Sequence, residues 1–341
     1  GDIVTGTTPP TNNHSNYGNE YLWASPADLG GVKYITDTKT KLSQLGFDRT
    51  RKIAKNSILV TCIGSTIGKM GMASTNMCTN QQINSIIVNK NYDDNFVYYA
   101  INSRFPKYLS SVAMQAVPII SKSAFEKLEN YTPKYEEQKK IGLFLSLIDQ
   151  RIENQSKIIE DLKKLKSSLL NLLFQNNSKW SIYCISDVLT IGNGRDYKHL
   201  KEGNIPVYGT GGYMLSVNDY LYEGESVCIG RKGTIDMPMF LTGKFWTVDT
   251  LFYTYNFQNI LPRFCYYLFT TINWSRYNEA SGVPSLSKTT IEKIKVSVPT
   301  LNDQQHICSI LDSVNNKINI EISILAKFKA QKSYLLRQMF I

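Results

Sequence analysis

The amino-acid sequence predicts an α+β protein in which two mixed α/β domains alternate with two long helices that pair as an antiparallel coiled coil. Three observations lead to this prediction: an internal repeat, a heptad pattern present in both copies, and a glycine-rich segment with β-like runs ahead of each helix. The predicted boundaries are 1–134 and 179–300 for the two domains, and 135–178 and 301–341 for the two helical segments.

The repeat relates Val117–Phe174 to Val283–Phe340 without a gap, at an offset of 166 positions (283 − 117). Of the 58 aligned positions 18 are identical, which is typical of an old internal duplication. The sequence therefore predicts a pseudo-twofold arrangement of two similar halves.

Each copy contains a strict alternation of four- and three-residue steps between apolar positions, which is the pattern of a coiled-coil seam. A helix of about 40 residues is about 60 Å long, so its apolar stripe needs a partner helix. The other copy is the nearest partner, and its polar seam positions coincide, Gln155 with Glu321 and Lys166 with Lys332. The alternative is that each helix packs only on its own domain. The predicted seam residues are Ile141, Leu145, Ile148, Ile152, Ile159, Leu162, Ile307, Leu311, Val314, Ile318, Leu325 and Phe328.

The domains ahead of the helices combine short β-like runs with one short amphipathic helix each. SILVTCIGSTIG and QINSIIV indicate strands in the first domain, and IPVYGTGGY, ESVCIGRKG and FWTVDTLFYTY indicate strands in the second. DNFVYYAINSRF and LPRFCYYLFTTINW predict the helices. GDIVTGTTPP in the first domain is similar to the segment that begins with SDVL in the second domain. SKWSIYCI comes directly before SDVL, and the given sequence has no counterpart of it before GDIVTGTTPP. We therefore expect the first domain to lack a short N-terminal strand here.

Composition narrows the class of protein. The 341 residues include six scattered cysteines without a CxxC pair, as in reduced proteins, and we expect neither a membrane span nor a leader, hence a cytoplasmic location. The net charge of +10 is compatible with a polyanionic partner but does not by itself indicate nucleic acid.

Motifs for catalysis are absent from the sequence. IGSTIGKM lacks the glycine spacing and the Ser or Thr of a phosphate loop, and a glycine-rich β turn is the better interpretation. The three histidines are far apart and have no ligand at metal spacing, so no metal site is predicted. Without a cofactor fingerprint, binding is favoured over reaction, although an active site built from distant residues stays open as an alternative.

Basic and amide residues indicate where DNA could bind. Arg49, Arg51, Lys52 and Lys55 lie together in DRTRKIAK and suit phosphates, or else form a solvated charged turn. The amides of TNQQINS can pair with adenine, and the arginine of IGRKGT suits guanine or phosphate. The amides are Gln81, Gln82 and Asn84, and the second domain adds Arg195, Lys198, Arg231 and Lys232.

One candidate segment occurs twice, as VPIISKS with Ser121 and Lys122 and as VPSLSKT with Ser287 and Lys288. A loop of small residues leads there to Ser-Lys at the start of a predicted short helix, which offers backbone N–H groups, a hydroxyl and an ammonium to an anion. The serines also stand where an N-cap would, and a cap is compatible with phosphate contact.

Each copy of the repeat consists of a mixed α/β domain, the motif VPxxSKxxxEKI, a proline and a long helix, which in the first copy begins with EEQKKIGLFLSLIDQRI. This repeated arrangement resembles the DNA-specificity subunit of type I restriction-modification enzymes. The resemblance implies that each domain is a target-recognition domain that reads one half of a split DNA sequence, with the paired helices setting the gap. It further implies a non-catalytic chain without a cofactor of its own. Two methyltransferase subunits carrying S-adenosylmethionine and motor-nuclease restriction subunits are the implied partners.

Two other functions compete with this interpretation. One is a stand-alone nuclease or methyltransferase with a cryptic active site. The other is a coiled-coil scaffold whose β-rich domains bind proteins or glycans.

Overall fold

The computed structural model describes residues 1–110, 118–175 and 179–340. The chain divides into unit 1, Gly1–Ile158 with Glu321–Ile341, and unit 2, Ile159–Ile320. Val117, where the sequence repeat begins, and 176–178, the end of the first predicted helical segment, lie outside the described residues. Both unit boundaries fall inside long helices, so each unit contains part of both.

The described part of unit 1 combines short strands with four α-helices, the last of which continues into unit 2, and with the end of the last helix of the chain. The strands are β1 Asp2–Thr5, β2 Tyr17–Gly18, β3 Tyr21–Ala24, β4 Tyr34–Ile35, β5 Thr40–Leu42, β6 Lys52–Ile53, β7 Ile58–Thr61, β8 Met70–Ala73, β9 Met77–Thr79 and β10 Ile83–Ile87. The helices are α1 Gln44–Arg49, α2 Asp94–Ser110, α3 Lys122–Glu126 and α4 Tyr135–Leu173.

Two sheets organise unit 1, one in the order β1-β10-β7-β8-β4 and the other in the order β2-β5-β3-β9-β6. Strand β7 is buried along its whole length, and it pairs with β10 and β8 in antiparallel fashion. Helix α2 covers the first sheet through Tyr98, Tyr99 and Phe105, which belong to the same buried cluster as Ile58 and Val60. The domain is therefore a mixed α/β core, as predicted.

The described part of unit 2 has the same composition of elements. Its strands are β11 Ser181–Cys184, β12 Thr190–Asn193, β13 Glu202–Gly209, β14 Gly212–Val217, β15 Tyr222–Glu223, β16 Ser226–Gly230, β17 Met239–Leu241, β18 Lys244–Thr247, β19 Leu251–Tyr255 and β20 Lys295–Val298. Its helices are α5 Ile185–Val188, α6 Pro262–Thr271, α7 Lys288–Glu292 and α8 Leu301–Met339, which extends into unit 1.

Three sheets are formed in unit 2, in the orders β11-β20, β12-β19-β16-β17 and β14-β13-β18-β15. Helix α6 packs on the second of these sheets, and its Phe264, Cys265 and Tyr267 are fully buried. Trp274, just after α6, lies in the same core and donates its indole N–H to the carbonyl of Phe269 at 2.9 Å. Unit 2 is thus also a mixed α/β domain.

The two long helices, α4 and α8, each contain 39 residues and begin at Tyr135 and Leu301. All twelve predicted seam residues are buried or half-buried, and their pairing as a coiled-coil seam stays a prediction. In unit 1, Leu145 of α4 and Leu335 of α8 join one apolar cluster. In unit 2, Leu169 of α4 and Leu311 of α8 join another.

A buried glutamine near the start of each long helix forms hydrogen bonds with the backbone of the domain before it. Gln138 donates to the carbonyl of Pro133 at 2.8 Å and accepts from the backbone N–H of Asp93 at 3.1 Å. Gln304, 166 positions later, donates to the carbonyl of Pro299 at 3.0 Å and accepts from the backbone N–H of Leu261 at 2.7 Å. The repeat therefore preserves a contact as well as a pattern.

None of the helices in the described ranges combines the length and the apolar character needed to cross a lipid bilayer.

Candidate nucleic-acid interface

In unit 1 the end of β1, the start of β10 and the end of β7 lie at one edge of the first sheet. This follows from the antiparallel register, in which Thr5 pairs with Asn84 and Ile83 pairs with Thr61. The two glutamines that precede β10, Gln81 and Gln82, therefore lie next to the turn that follows β7.

The glycine turn after β7 is bridged to the loop that carries Ser121 and Lys122. Ile63 forms a β-bridge with Ile119, and the N–H of Gly64 donates to the carbonyl of Pro118 at 3.0 Å. Gly64 has φ +96°, a conformation that favours glycine. The structure thus brings together three segments that the sequence analysis considered separately.

Arg51 and Gln81 flank the segment that leaves β1. The guanidinium of Arg51 donates to the carbonyl of Thr5 at 2.9 Å, and its backbone N–H donates to the hydroxyl of Thr7 at 2.9 Å. The hydroxyl of Thr8 donates to the side-chain carbonyl of Gln81. These contacts place one basic and one amide residue of the predicted interface on the same surface.

The other basic residues of DRTRKIAK also have protein contacts. Arg49 donates to the side-chain carbonyl of Asn16 at 3.1 Å, and the ammonium of Lys52 lies 2.8 Å from Asp48. The hydrogen bond from Lys52 lowers the pKa of the Asp48 carboxyl. Lys55 is exposed.

The three amides of TNQQINS differ in exposure. Gln81 is exposed, Gln82 is half-buried and accepts from the amide of Asn80 at 3.1 Å, and Asn84 is only 3% exposed. The side-chain carbonyl of Asn84 accepts from the hydroxyl of Thr5 at 2.7 Å. Of the three, Gln81 is the amide that this conformation presents to solvent, and DNA contact by any of them stays a prediction.

Unit 2 has an equivalent edge in the sheet β12-β19-β16-β17. Asn193 at the end of β12 and Ile229 near the end of β16 both pair with Phe252 near the start of β19. Arg195 follows β12 and Arg231 follows β16, so both arginines extend from this edge.

The backbone N–H and the backbone carbonyl of each arginine both form hydrogen bonds. The N–H of Arg231 donates to the carbonyl of Thr250 at 2.7 Å, and its carbonyl accepts from the N–H of Leu286 at 2.9 Å. The N–H of Arg195 donates to the carbonyl of Thr247 at 2.8 Å, and its carbonyl accepts from the indole of Trp246 at 2.8 Å. Both side chains are exposed, and neither forms an ion pair within the described parts of the chain.

Lys232 and Lys198 complete the basic residues predicted in the second domain. Lys232 forms a β-bridge with Ser285, which joins its glycine turn to the loop of Ser287 and Lys288. Lys198 is exposed and lines a groove in unit 2 with Lys201 and Tyr213. Each unit therefore joins a glycine turn to a Ser-Lys loop at one sheet edge.

The serines of both Ser-Lys loops are N-caps, as the sequence suggested. Ser121 accepts from the N–H of Ala124 at 3.2 Å, and Ser287 accepts from the N–H of Thr290 at 3.1 Å. The ammonium groups of the two lysines lie 3.6 and 3.7 Å from the glutamates one turn later.

The second Ser-Lys loop also contains a carboxylate. The hydroxyl of Ser287 donates to Glu279 at 2.7 Å, and the hydroxyl of Thr290 donates to the same oxygen. These hydrogen bonds, with that from Thr290 the larger cause, lower the pKa of the Glu279 carboxyl. With this carboxylate, the loop around Lys288 carries less positive charge than the sequence VPSLSKT alone indicates.

A buried polar network in unit 1 escaped the sequence analysis. The ammonium of Lys33 donates to Asn95 at 2.6 Å and to the hydroxyl of Tyr99 at 3.1 Å, and that hydroxyl donates to Asp149 of α4 at 2.5 Å. Lys332 of α8 lies 2.5 Å from the same carboxylate. Burial lowers the pKa of Lys33 to about 8.

Unit 2 has a similar polar network between α6 and α8. Arg263 lies 2.6 Å from Asp312, whose carboxylate also accepts from the hydroxyl of Tyr267 at 2.5 Å. The sequence signal for both networks is a Tyr-Tyr pair that occurs in VYYAIN and again in CYYLFT. Tyr99 and Tyr267 are the second members of these pairs.

Comparison with known proteins identifies the family. The model of the type I restriction modification DNA specificity domain matches residues 1–164 and again 177–330. The type I restriction enzyme HindI specificity subunit of Haemophilus influenzae is 32% identical over 181 residues, which are 50% of this chain and 39% of that protein. The MjaVIII specificity subunit of Methanocaldococcus jannaschii is 23% identical over 330 residues, 79% of this chain and 74% of that protein.

Solved structures agree on the fold. The S subunit of a type I restriction-modification system from M. genitalium superposes with a TM-score of 0.69 at 20% identity, covering 100% of this chain and 93% of that one. The first curated relatives are matched over less than half of their length, 39% and 41%. The family model, however, covers most of the chain in two successive matches, which confirms both the internal repeat and the resemblance seen in the sequence. This protein belongs to the family of type I restriction modification DNA specificity domains.

Proposed function

We propose that this chain is the sequence-specific DNA-binding specificity subunit of a type I restriction-modification system, with each unit reading one half of a bipartite site. The observation that carries the proposal is the equivalence of the two sheet edges. In both units a glycine turn bridged to a Ser-Lys loop lies beside exposed amide or basic residues. Such residues can contact phosphates and base edges, and two similar readers in one chain suit a split site.

We further propose that α4 and α8 pair as an antiparallel coiled coil that sets the gap between the half-sites. Within unit 1, Gln155 contacts Glu321, Arg151 lies over the ring of Phe328, and Asp149 contacts Lys332. Residue numbers fall along α4 while they rise along α8, which supports an antiparallel pairing. Polar residues within the seam would fix its register.

The proposed partners are two methyltransferase subunits, which would carry S-adenosylmethionine and the methylation chemistry, and motor-nuclease restriction subunits. The chain itself would supply DNA recognition without catalysis, and the complex would work in the cytoplasm. A chain from a study of complex assembly in the type I R-M system superposes with a TM-score of 0.59. Exposed apolar residues on α4, namely Leu143, Phe144 and Leu147, offer a surface for a partner helix.

The test is co-expression of the chain with a type I methyltransferase subunit from the same organism, followed by base-resolution mapping of N6-methyladenine in the host DNA. A split motif with a constant gap is the expected result. A stable complex that methylates at unrelated sequences would contradict sequence-specific recognition by this chain. Failure to form any complex would contradict the proposed role as a subunit.

A further inference from the structure

The exposed polar groups at the two sheet edges differ in chemistry. At the glycine turn the second unit has Arg231 and Lys232, whereas the positions 166 residues earlier in the first unit are Ser65 and Thr66. Beside these turns, unit 1 presents the amide of Gln81 and unit 2 presents Arg195. The two edges therefore offer different hydrogen-bonding groups to the two halves of a DNA site.

Three of the basic side chains predicted for the interface of unit 1 already have partners within the protein. Arg49 and Arg51 donate to Asn16 and Thr5, and Lys52 pairs with Asp48. By contrast, Arg195 and Arg231 extend from backbones that are hydrogen-bonded on both sides, and no carboxylate within the described residues forms an ion pair with them. The guanidinium of Arg231 lies 5.9 Å from the ring centroid of Phe252, and within the described residues neither arginine side chain forms a hydrogen bond. A side chain on a fixed backbone whose N–H donors are available in this way is suited to recognise a base edge.

We infer that Arg195 and Arg231 read guanines in the half-site bound by unit 2, whereas the half-site bound by unit 1 is read through amide and hydroxyl groups. The inference rests on the proposed function. Arginine presents a planar pair of donors that matches the two major-groove acceptors of guanine, and glutamine matches adenine in the same way.

The sheet geometry gives the expected spacing of the two arginines. Strands β12 and β16 both pair with β19, and each neighbour in a sheet is about 4.8 Å away, so the two strand ends are about 10 Å apart. The two arginines are therefore close enough together to address G·C pairs within one half-site.

The experiment selects binding sequences from a pool of randomised DNA duplexes, using the full chain assembled with its methyltransferase subunits. The variants are Arg231→Ala, Arg195→Ala and Arg231→Lys, and the matched control is Lys295→Ala, which removes one exposed positive charge from β20 in a different sheet. Arg231→Lys keeps the charge but removes the planar fork of donors.

Each alanine variant is expected to lose preference for one G·C pair in one half-site, by about 5- to 150-fold, while the other half-site is unchanged. Arg231→Lys should lose the same preference, and Lys295→Ala should retain the wild-type motif. If both alanine variants lose affinity uniformly but keep the wild-type motif, the inference is overturned, because the arginines then contact phosphates and not bases. A wild-type protein that enriches no split motif would instead overturn the proposed function, and this inference with it.

Discussion

Gln155 and Glu321 occupy the same position in the two copies of the repeat, and they contact each other. The amide of Gln155 donates to the backbone carbonyl of Glu321 at 3.2 Å and also to its carboxylate. Both side chains are buried, at 8% and 7% exposure. Both residues belong to unit 1, and their contact is one that the proposed pairing of α4 with α8 requires.

The contact leads to a prediction about stability and register. Gln155→Ala should lower the free energy of unfolding by about 1.5–3 kcal/mol, because a buried carboxylate loses a donor. Gln155→Leu combined with Glu321→Leu should be as stable as the wild type or more so, because a buried polar pair is often replaced by apolar residues without loss. Chemical denaturation of the single and double variants measures both effects.

Gln150→Ala, on the exposed side of the same helix, is the control and should change stability by less than about 0.5 kcal/mol. A Gln155→Ala protein as stable as this control would show that the pair does not contribute to folding.

The buried network around Lys33 predicts a pH dependence of stability. Burial lowers the pKa of Lys33 to about 8, below its ordinary value of 10.5. Below pH 8 both the folded and the unfolded protein carry this proton, and the cost of burying the charge is fully present. Between about pH 8 and 10.5 the unfolded chain binds more protons at this residue, so the free energy of unfolding should rise with pH.

Lys33→Met removes the titrating group while keeping a long side chain. Urea denaturation of both proteins at pH 7.5, 8.5 and 9.5, values chosen to span this window, should show a rise in the wild type that the variant lacks. Parallel curves for the two proteins would assign the pH dependence to other groups.

The Ser-Lys loops predict the salt dependence of DNA binding. Lys122→Ala and Lys288→Ala should each weaken affinity and reduce the slope of log K against log salt by about 0.9, because each removes one phosphate contact. Sequence preference should change little, since phosphate contacts position the protein without specifying bases. Binding titrations across a range of salt concentrations provide the measurement.

Lys157→Ala, which removes an exposed lysine from α4, serves as the control with the same change in charge. If the slopes of both loop variants equal that of this control, these lysines are not part of the DNA interface.

The proposed spacer predicts that helix length determines the gap in the recognised motif. Deletion of 156–162 together with 322–328 removes one heptad from equivalent places in both helices and keeps the seam in phase. Seven residues correspond to about 10.5 Å of helix, so the gap should shorten by about three base pairs. Mapping of the methylated motif in cells that express the variant gives the gap directly.

Deletion of 156–162 alone should abolish folding, because the two seams then lose their register. A double deletion that folds and methylates with an unchanged gap would exclude the helices as the spacer.

The sequence by itself determined the features that depend on local pattern. The heptad spacing identified both long helices and their buried faces, because only residues at such intervals lie on one side of a helix. Ser121 and Ser287 were recognisable as caps because an N-cap contact spans three residues. Apolar runs beside glycine turns located β7 and β16, and the apolar run of QINSIIV located β10. The repeat and its motifs also indicated the family.

Only the tertiary structure decided which candidate residues lie together. The bridges from Ile63 to Ile119 and from Lys232 to Ser285 join segments more than 50 positions apart, and no local pattern encodes such pairings. The burial of Asn84 and the contacts of Lys33 likewise depend on distant chain segments packing around them. Secondary structure is governed by neighbours in sequence, whereas exposure, charge compensation and the composition of a surface are governed by neighbours in space.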